Sequence, residues 1–113
     1  MSMQVPIEEI PQVAADYGDS AYVLAGASEG PPRITHSMVA FADGQLVVTV
    51  GRWAAAAIAA NAAVSVLWPA TTDQSMSLIV DGRATLGGDD DGNRDGEVRI
   101  APSGAVRHRP ASG

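Results

Sequence analysis

The sequence predicts a mainly β fold: a small closed or partly split barrel of about six strands with one short internal helix. Three observations carry this. Short β-branched and apolar runs recur between Gly, Pro and Asp-Gly turn signals. Residues 53–61, almost all alanine, interrupt two such runs as a brief helix. At 113 residues the chain is one domain, 1–113, whose sheet must hide its own edges, and closing the sheet does that.

The elements follow in order. Pro6 to Tyr17 opens as helical turns, with Ile7, Ile10, Val13, Ala14 and Tyr17 near helical spacing, and Pro11 is expected to split it. Gly18-Asp19 ends the helix, and Ala21 to Ala27 reads as the first strand. The turn Ser28-Glu29-Gly30-Pro31-Pro32 leads into a second strand from about Arg33 to Phe41. Asp43-Gly44 is the strongest hairpin signal and is expected to pair that strand with Gln45 to Val50. Gly51-Arg52 breaks the run, the alanine helix follows, and Val64 to Trp68 resumes as a buried strand. Pro69 to Gln74 is a loop, and Met76 to Leu86 is a long strand with Gly82 marking a bulge or bend. Residues 87–96 are acidic and glycine-rich and read as a mobile hairpin loop. Glu97 to Ile100, extending toward Val106, is the last strand, and 107–113 is a polar tail.

Composition limits the chemistry. With 46% hydrophobic and 18% charged residues the chain is globular, and no apolar run suits a bilayer span. The formal charge of −6, with no basic stripe, argues against nucleic acid and anionic membranes as partners. All seven basic side chains are arginine, so no lysine Schiff base can form. Without cysteine there is no thiolate nucleophile and no disulfide framework, and with no signal-peptide pattern a soluble cytoplasmic protein is expected.

Arg52 carries the functional reading. It stands at a helix N-terminus, where free backbone N–H groups, the positive end of the helix dipole and a guanidinium converge as a phosphate requires. The plain alternative is a surface arginine near a carboxylate. His36 and Ser37 lie on opposite faces of the second strand. His36 could donate to a bound ring or relay a proton, or it could be a hydrogen-bonded rim residue. Trp68 could stack on an aromatic ligand or belong to the core. Asp91 to Gly96 imitates the start of a calcium loop, but the twelfth position is Pro102 instead of glutamate. Two histidines and no cysteine give no metal site. The alanine helix, apolar on every face, must be covered on more than one side, by a second subunit as well as the barrel, which predicts a homodimer; the plain alternative is an ordinary core helix inside a monomer.

The order of these features resembles the pyridoxamine 5′-phosphate oxidase-like, flavin-binding split β-barrels over roughly 21–88. The resemblance rests on the Gly-Pro turn, Ile34 to Phe41, Asp43-Gly44, Leu46-Val47-Val48-Thr49-Val50, the bend and short helix, then Asn61 to Trp68 and Leu78 to Ala84. It implies a homodimer with flavin mononucleotide (FMN), or a deazaflavin, in a groove between subunits, and hydride transfer to or from a substrate not identifiable from sequence. A non-catalytic small-ligand-binding or cofactor-free dimer is the alternative. By position the family's phosphate ligands fall on Thr49 and Arg52, and its ring or substrate contacts on the strand holding His36 and Ser37. The family's lysine falls at about Ala54 and its helix asparagine near Ala57, so this chain departs there. Pyridoxamine phosphate oxidase activity itself is not expected, because the extended C-terminal substrate segment is missing as well.

Overall fold

Alternating buried and exposed side chains curl one antiparallel sheet around a single apolar core. The computed structural model describes residues 2–27, 29–72, 75–87 and 96–109. The expected acidic loop, apart from Gly87 and Gly96, and the last tail residues 110–113 lie outside them.

The elements are β1 (Ser2–Gln4), a 3-10 turn (Ile7–Glu9), α1 (Ile10–Ala15), β2 (Ser20–Ala25), β3 (Arg33–Met38) and β4 (Ala40–Ala42). They continue with β5 (Gln45–Thr49), α2 (Arg52–Ala60), β6 (Ala63–Trp68), β7 (Ser77–Leu86) and β8 (Glu97–His108). Across the sheet the strands run β3-β2-β6-β7-β8-β5-β4, with β1 added beside the C-terminal part of β8. The result is a split β-barrel with two short helices, as the sequence predicts. It has eight strands where about six were expected.

Register explains the core. Val23, Val66, Val80 and Ala105 face one another across β2, β6, β7 and β8, and all four are buried. Trp68 and Leu78 form the next buried row. The ladder between β7 and β8 shifts register at Asp81/Gly82, where the sequence places a bulge or bend. A Cβ on Gly82 would sit 2.5 Å from the Ala101 carbonyl oxygen, so this strand crossing requires glycine. α1 packs Ile10 and Ala14 into the core. Pro11 occupies the first turn of α1, so it starts the α-helix after a 3-10 turn and does not split a single helix.

Three expectations change. The expected second strand, Arg33 to Phe41, divides at Val39, whose N–H donates to the Asp19 carbonyl. β3 therefore pairs with β2, and only β4 pairs with β5 through the Asp43-Gly44 turn. Both turn residues have positive φ, 54° and 79°, as a two-residue hairpin needs. The last strand runs on through Arg107 and His108 because β1 and β7 both pair with it there, so those residues are not a tail.

Candidate functional site

The terminal strand β3 meets β5, the strand next to the other end of the order, where β5 passes into α2. There the Thr49 N–H donates to Ser37 Oγ at 3.0 Å, joining β5 to the edge strand β3. The Ser37 hydroxyl in turn donates to the Met38 carbonyl at 2.7 Å, and Ser37 is a buried polar residue at 8% exposure. Its hydroxyl is therefore engaged in holding the seam.

Past the seam, Gly51 is extended and precedes Arg52, the first residue of α2. The helix has no side-chain N-cap and no acidic residue in its first turn, and its first ladder bond is Ala55 N–H to the Gly51 carbonyl. The amides of Arg52, Trp53 and Ala54 therefore lack intrahelical acceptors. Arg52 is exposed, as is Thr49. A second cation arrives from β3: the Arg33 guanidinium carbon lies 5.8 Å from the centre of the Trp53 ring, inside the range of a cation–π contact. Among the described residues the ion pair formed is Arg99 with Glu97, at 3.9 Å, so neither Arg33 nor Arg52 has a carboxylate partner there. The Arg52 guanidinium at the positive end of a helix dipole is unfavourable, and an anion there relieves it. One feature opposes this: Glu97 stands directly opposite Thr49 in the β5–β8 ladder.

Sequence reasoning missed Arg33. Arginine after a Pro-Pro turn carries no motif, and only the packing of β3 against α2 brings it to Trp53. The helix phase also matters. Ala54 is 4% exposed and Ala57 is 8% exposed, so both face the core. A lysine at Ala54 would be buried.

The remaining residues lie elsewhere. His36 is on the outer face of β3, stacked on Tyr22 with ring centres 4.5 Å apart, and its Nε2 is 3.0 Å from Ser20 Oγ. Trp68 is 1% exposed in the core, with no open ring face for stacking, and its Nε1–H has no acceptor. An open cavity of about 600 Å³ lies on the outer face of the sheet, lined by Leu24, Gly26, Pro32, Ser65, Asp81 and Arg83 among others. Within it Ser65 Oγ donates to Asp81 Oδ1 at 2.6 Å. The cavity includes neither Thr49 nor Arg52. It lies beside Pro32, the residue preceding Arg33. Among the described residues no His/Cys/Asp/Glu cluster could hold a metal, and no helix is long and apolar enough to cross a membrane.

No protein-family model matches the sequence, and no curated protein matches it. Solved structures do match. A Mesorhizobium loti protein described as FAD-binding aligns at 17% identity with a TM-score of 0.68, covering 95% of this chain and 96% of its own. A Listeria innocua protein provisionally named a pyridoxamine 5′-phosphate oxidase aligns at 14% identity and a TM-score of 0.71, covering 93% and 100%. The heme storage protein of Vibrio cholerae aligns at 12% identity and a TM-score of 0.58, covering 96% and 93%. The chain has the split β-barrel fold of pyridoxamine 5′-phosphate oxidase-like proteins. At these identities the likeness is one of fold, shared by flavin-binding and heme-binding proteins alike.

Proposed function

We propose that this protein is a homodimeric flavin-binding oxidoreductase that holds FMN, or a deazaflavin, by its phosphate at the start of α2. The observation that carries this reading is Arg52 at the first position of α2, whose amides have no cap, with Arg33 over the ring of the adjacent Trp53, in a chain of net charge −6. These residues fit a phosphate. The Arg52 guanidinium supplies charge, the first-turn amides supply directed donors, and the exposed Thr49 hydroxyl supplies a further one. Arg52, Thr49 and the first-turn amides of α2 would hold the flavin by its phosphate, and the bound group would supply hydride-transfer chemistry toward a substrate. The chain's own part is to fix the phosphate and so orient the ring relative to α2.

A second reading, a non-catalytic or cofactor-free dimer, is favoured by Glu97, which places a carboxylate opposite Thr49. The two readings separate simply. Purified protein incubated with FMN or a deazaflavin and passed through gel filtration should carry the flavin's visible absorption, in about one equivalent per chain. Absorption no greater than free-dye background would reject the flavin reading and leave the second.

A further inference from the structure

The open cavity of about 600 Å³ on the outer face of the sheet owes its shape to two small residues. Leu24, Ser65 and Asp81 form one lateral row across β2, β6 and β7. In the next row Arg83 stands directly opposite Ala63, and Gly26 follows Ala25, the partner of Val64, at the end of β2. Glycine and alanine leave this second row low where Leu24 and Ser65 fill the first, and the sheet is hollowed there. Two polar groups are set into the hollow. Ser65 Oγ donates to Asp81 Oδ1 at 2.6 Å, the length of a charge-assisted bond, and Ser103 Oγ donates to the Asp81 carbonyl at 3.2 Å. The carboxylate is thereby held with its second oxygen, Oδ2, lacking a donor among the described residues. Arg83, two residues on and likewise exposed on β7, has no carboxylate partner among them.

A free carboxylate oxygen and an unpaired guanidinium, with backbones about 6 to 7 Å apart along one strand, give the cavity two opposite charges that sum to zero. A cation would leave Arg83 unmatched, and an anion would leave Asp81 unmatched. A ligand carrying both charges on adjoining groups answers both, ammonium to Asp81 Oδ2 and carboxylate to the guanidinium fork. Leu24, Pro32 and the low floor at Gly26 and Ala63 then give the rest of such a ligand an apolar bed. We infer that this cavity binds a small amino-acid zwitterion with an apolar side chain. Its volume lies in the range of small-ligand sites, about 300 to 1,000 Å³. Because the cavity contains neither Thr49 nor Arg52, the inference is independent of the phosphate site at α2.

Nuclear magnetic resonance titration of the isotope-labelled chain compares L-leucine with leucinamide, which lacks the carboxylate, and isocaproate, which lacks the ammonium. Leucine should shift the amides of Ser65, Asp81 and Arg83 with a Kd on the order of 1 mM, and the two truncated compounds should each bind about ten-fold or more weakly. Asp81→Asn should weaken leucine about ten-fold and remove its advantage over isocaproate, whereas Arg83→Gln should remove its advantage over leucinamide. Gly26→Leu should abolish binding by filling the hollow. A Cβ there meets Asn61 Nδ2 alone, at 3.8 Å, and the backbone φ is not positive, so the variant folds. Asp81 and Arg83 are exposed, and thermal melts should show their variants folded as well. Equal affinity for the three compounds, unchanged leucine binding in Gly26→Leu, or no amide shift up to about 20 mM leucine would overturn the site. So would a dimeric wild type that Gly26→Leu converts to monomer while leucine binds neither, which would make the hollow a subunit contact.

Discussion

Ser37 Oγ and the Thr49 backbone N–H, 3.0 Å apart, join two strands that stand near opposite ends of the sheet order. The barrel is split at this seam, and the hydroxyl supplies an acceptor where no strand ladder exists. Because α2 begins just after Thr49, the same hydrogen bond sets where the first-turn amides and Arg52 stand relative to Arg33. A side chain on β3 that the ligand need not touch thus positions the groups that would touch it.

Ser37→Ala removes the acceptor and leaves a part-buried N–H without it. The expected cost is about 1 to 3 kcal/mol of unfolding free energy. Urea titration should show a lower midpoint with an unchanged slope. FMN affinity should fall as well, through loss of alignment. An unchanged midpoint would mean that the seam is held by packing alone.

Arg52→Ala should weaken FMN by about ten-fold or more and affect riboflavin, which lacks the phosphate, much less. Glu97→Gln should move FMN affinity the other way, by a few-fold, because the carboxylate opposite Thr49 repels a phosphate. Both effects should shrink in high salt, since Arg52 and Glu97 are exposed. Titration calorimetry with the two flavins at two salt concentrations decides this. Equal losses for riboflavin and FMN would assign Arg52 to folding.

Much of this fold was legible where the signal is local. Asp43-Gly44 demands two positive φ values and has them, Leu46 to Thr49 alternates as a strand should, and Gly82 marks an irregular crossing. What could not be read is non-local or depends on phase. Nothing near Val39 says that β3 will pair with β2 and leave β5 to β4, because strand partners are chosen by packing across the whole sheet. An alanine run is apolar on every side, with no polar stripe to show which face turns inward, so Ala54 could be mistaken for a site position. Arg33 meets Trp53 only after β3 and α2 have packed, and the seam role of Ser37 depends on two hydrogen bonds that strand alternation does not reveal.

The outer face of α2 tests the dimer. Trp53, Ala56, Ala59 and Ala60 are exposed, while Ala54, Ala57 and Ile58 are buried, so the protomer leaves an apolar helix face uncovered. Ala56→Arg and Ala59→Arg should fold, because neither position is in the protomer core. They should lower the dimer fraction sharply by placing a desolvated charge in a close contact. Multi-angle light scattering at micromolar concentration measures this. A monomeric wild type, or dimers in both variants, would reject this face as the subunit contact.

Gly96 fixes the other side of the bend that carries Arg52. Its φ is +71°, a conformation that L side chains seldom adopt, and a Cβ there would overlap the Val50 carbonyl oxygen. Its own carbonyl accepts the Val50 N–H at 3.0 Å, which anchors the end of β5 just before Gly51. Gly96→Ala therefore has to move either β8 or the bend, and should cost about 1 to 3 kcal/mol. Gly104→Ala is the matched comparison, with nothing within 4 Å of its Cβ position, and should stay within about 1 kcal/mol of wild type. If the bend sets the phosphate groups, Gly96→Ala should also weaken FMN under conditions where the variant is fully folded, whereas Gly104→Ala should not. Thermal melts with parallel FMN titrations give both numbers. A Gly96→Ala protein as stable as the Gly104→Ala protein would show that the Val50 contact does not hold the bend in place.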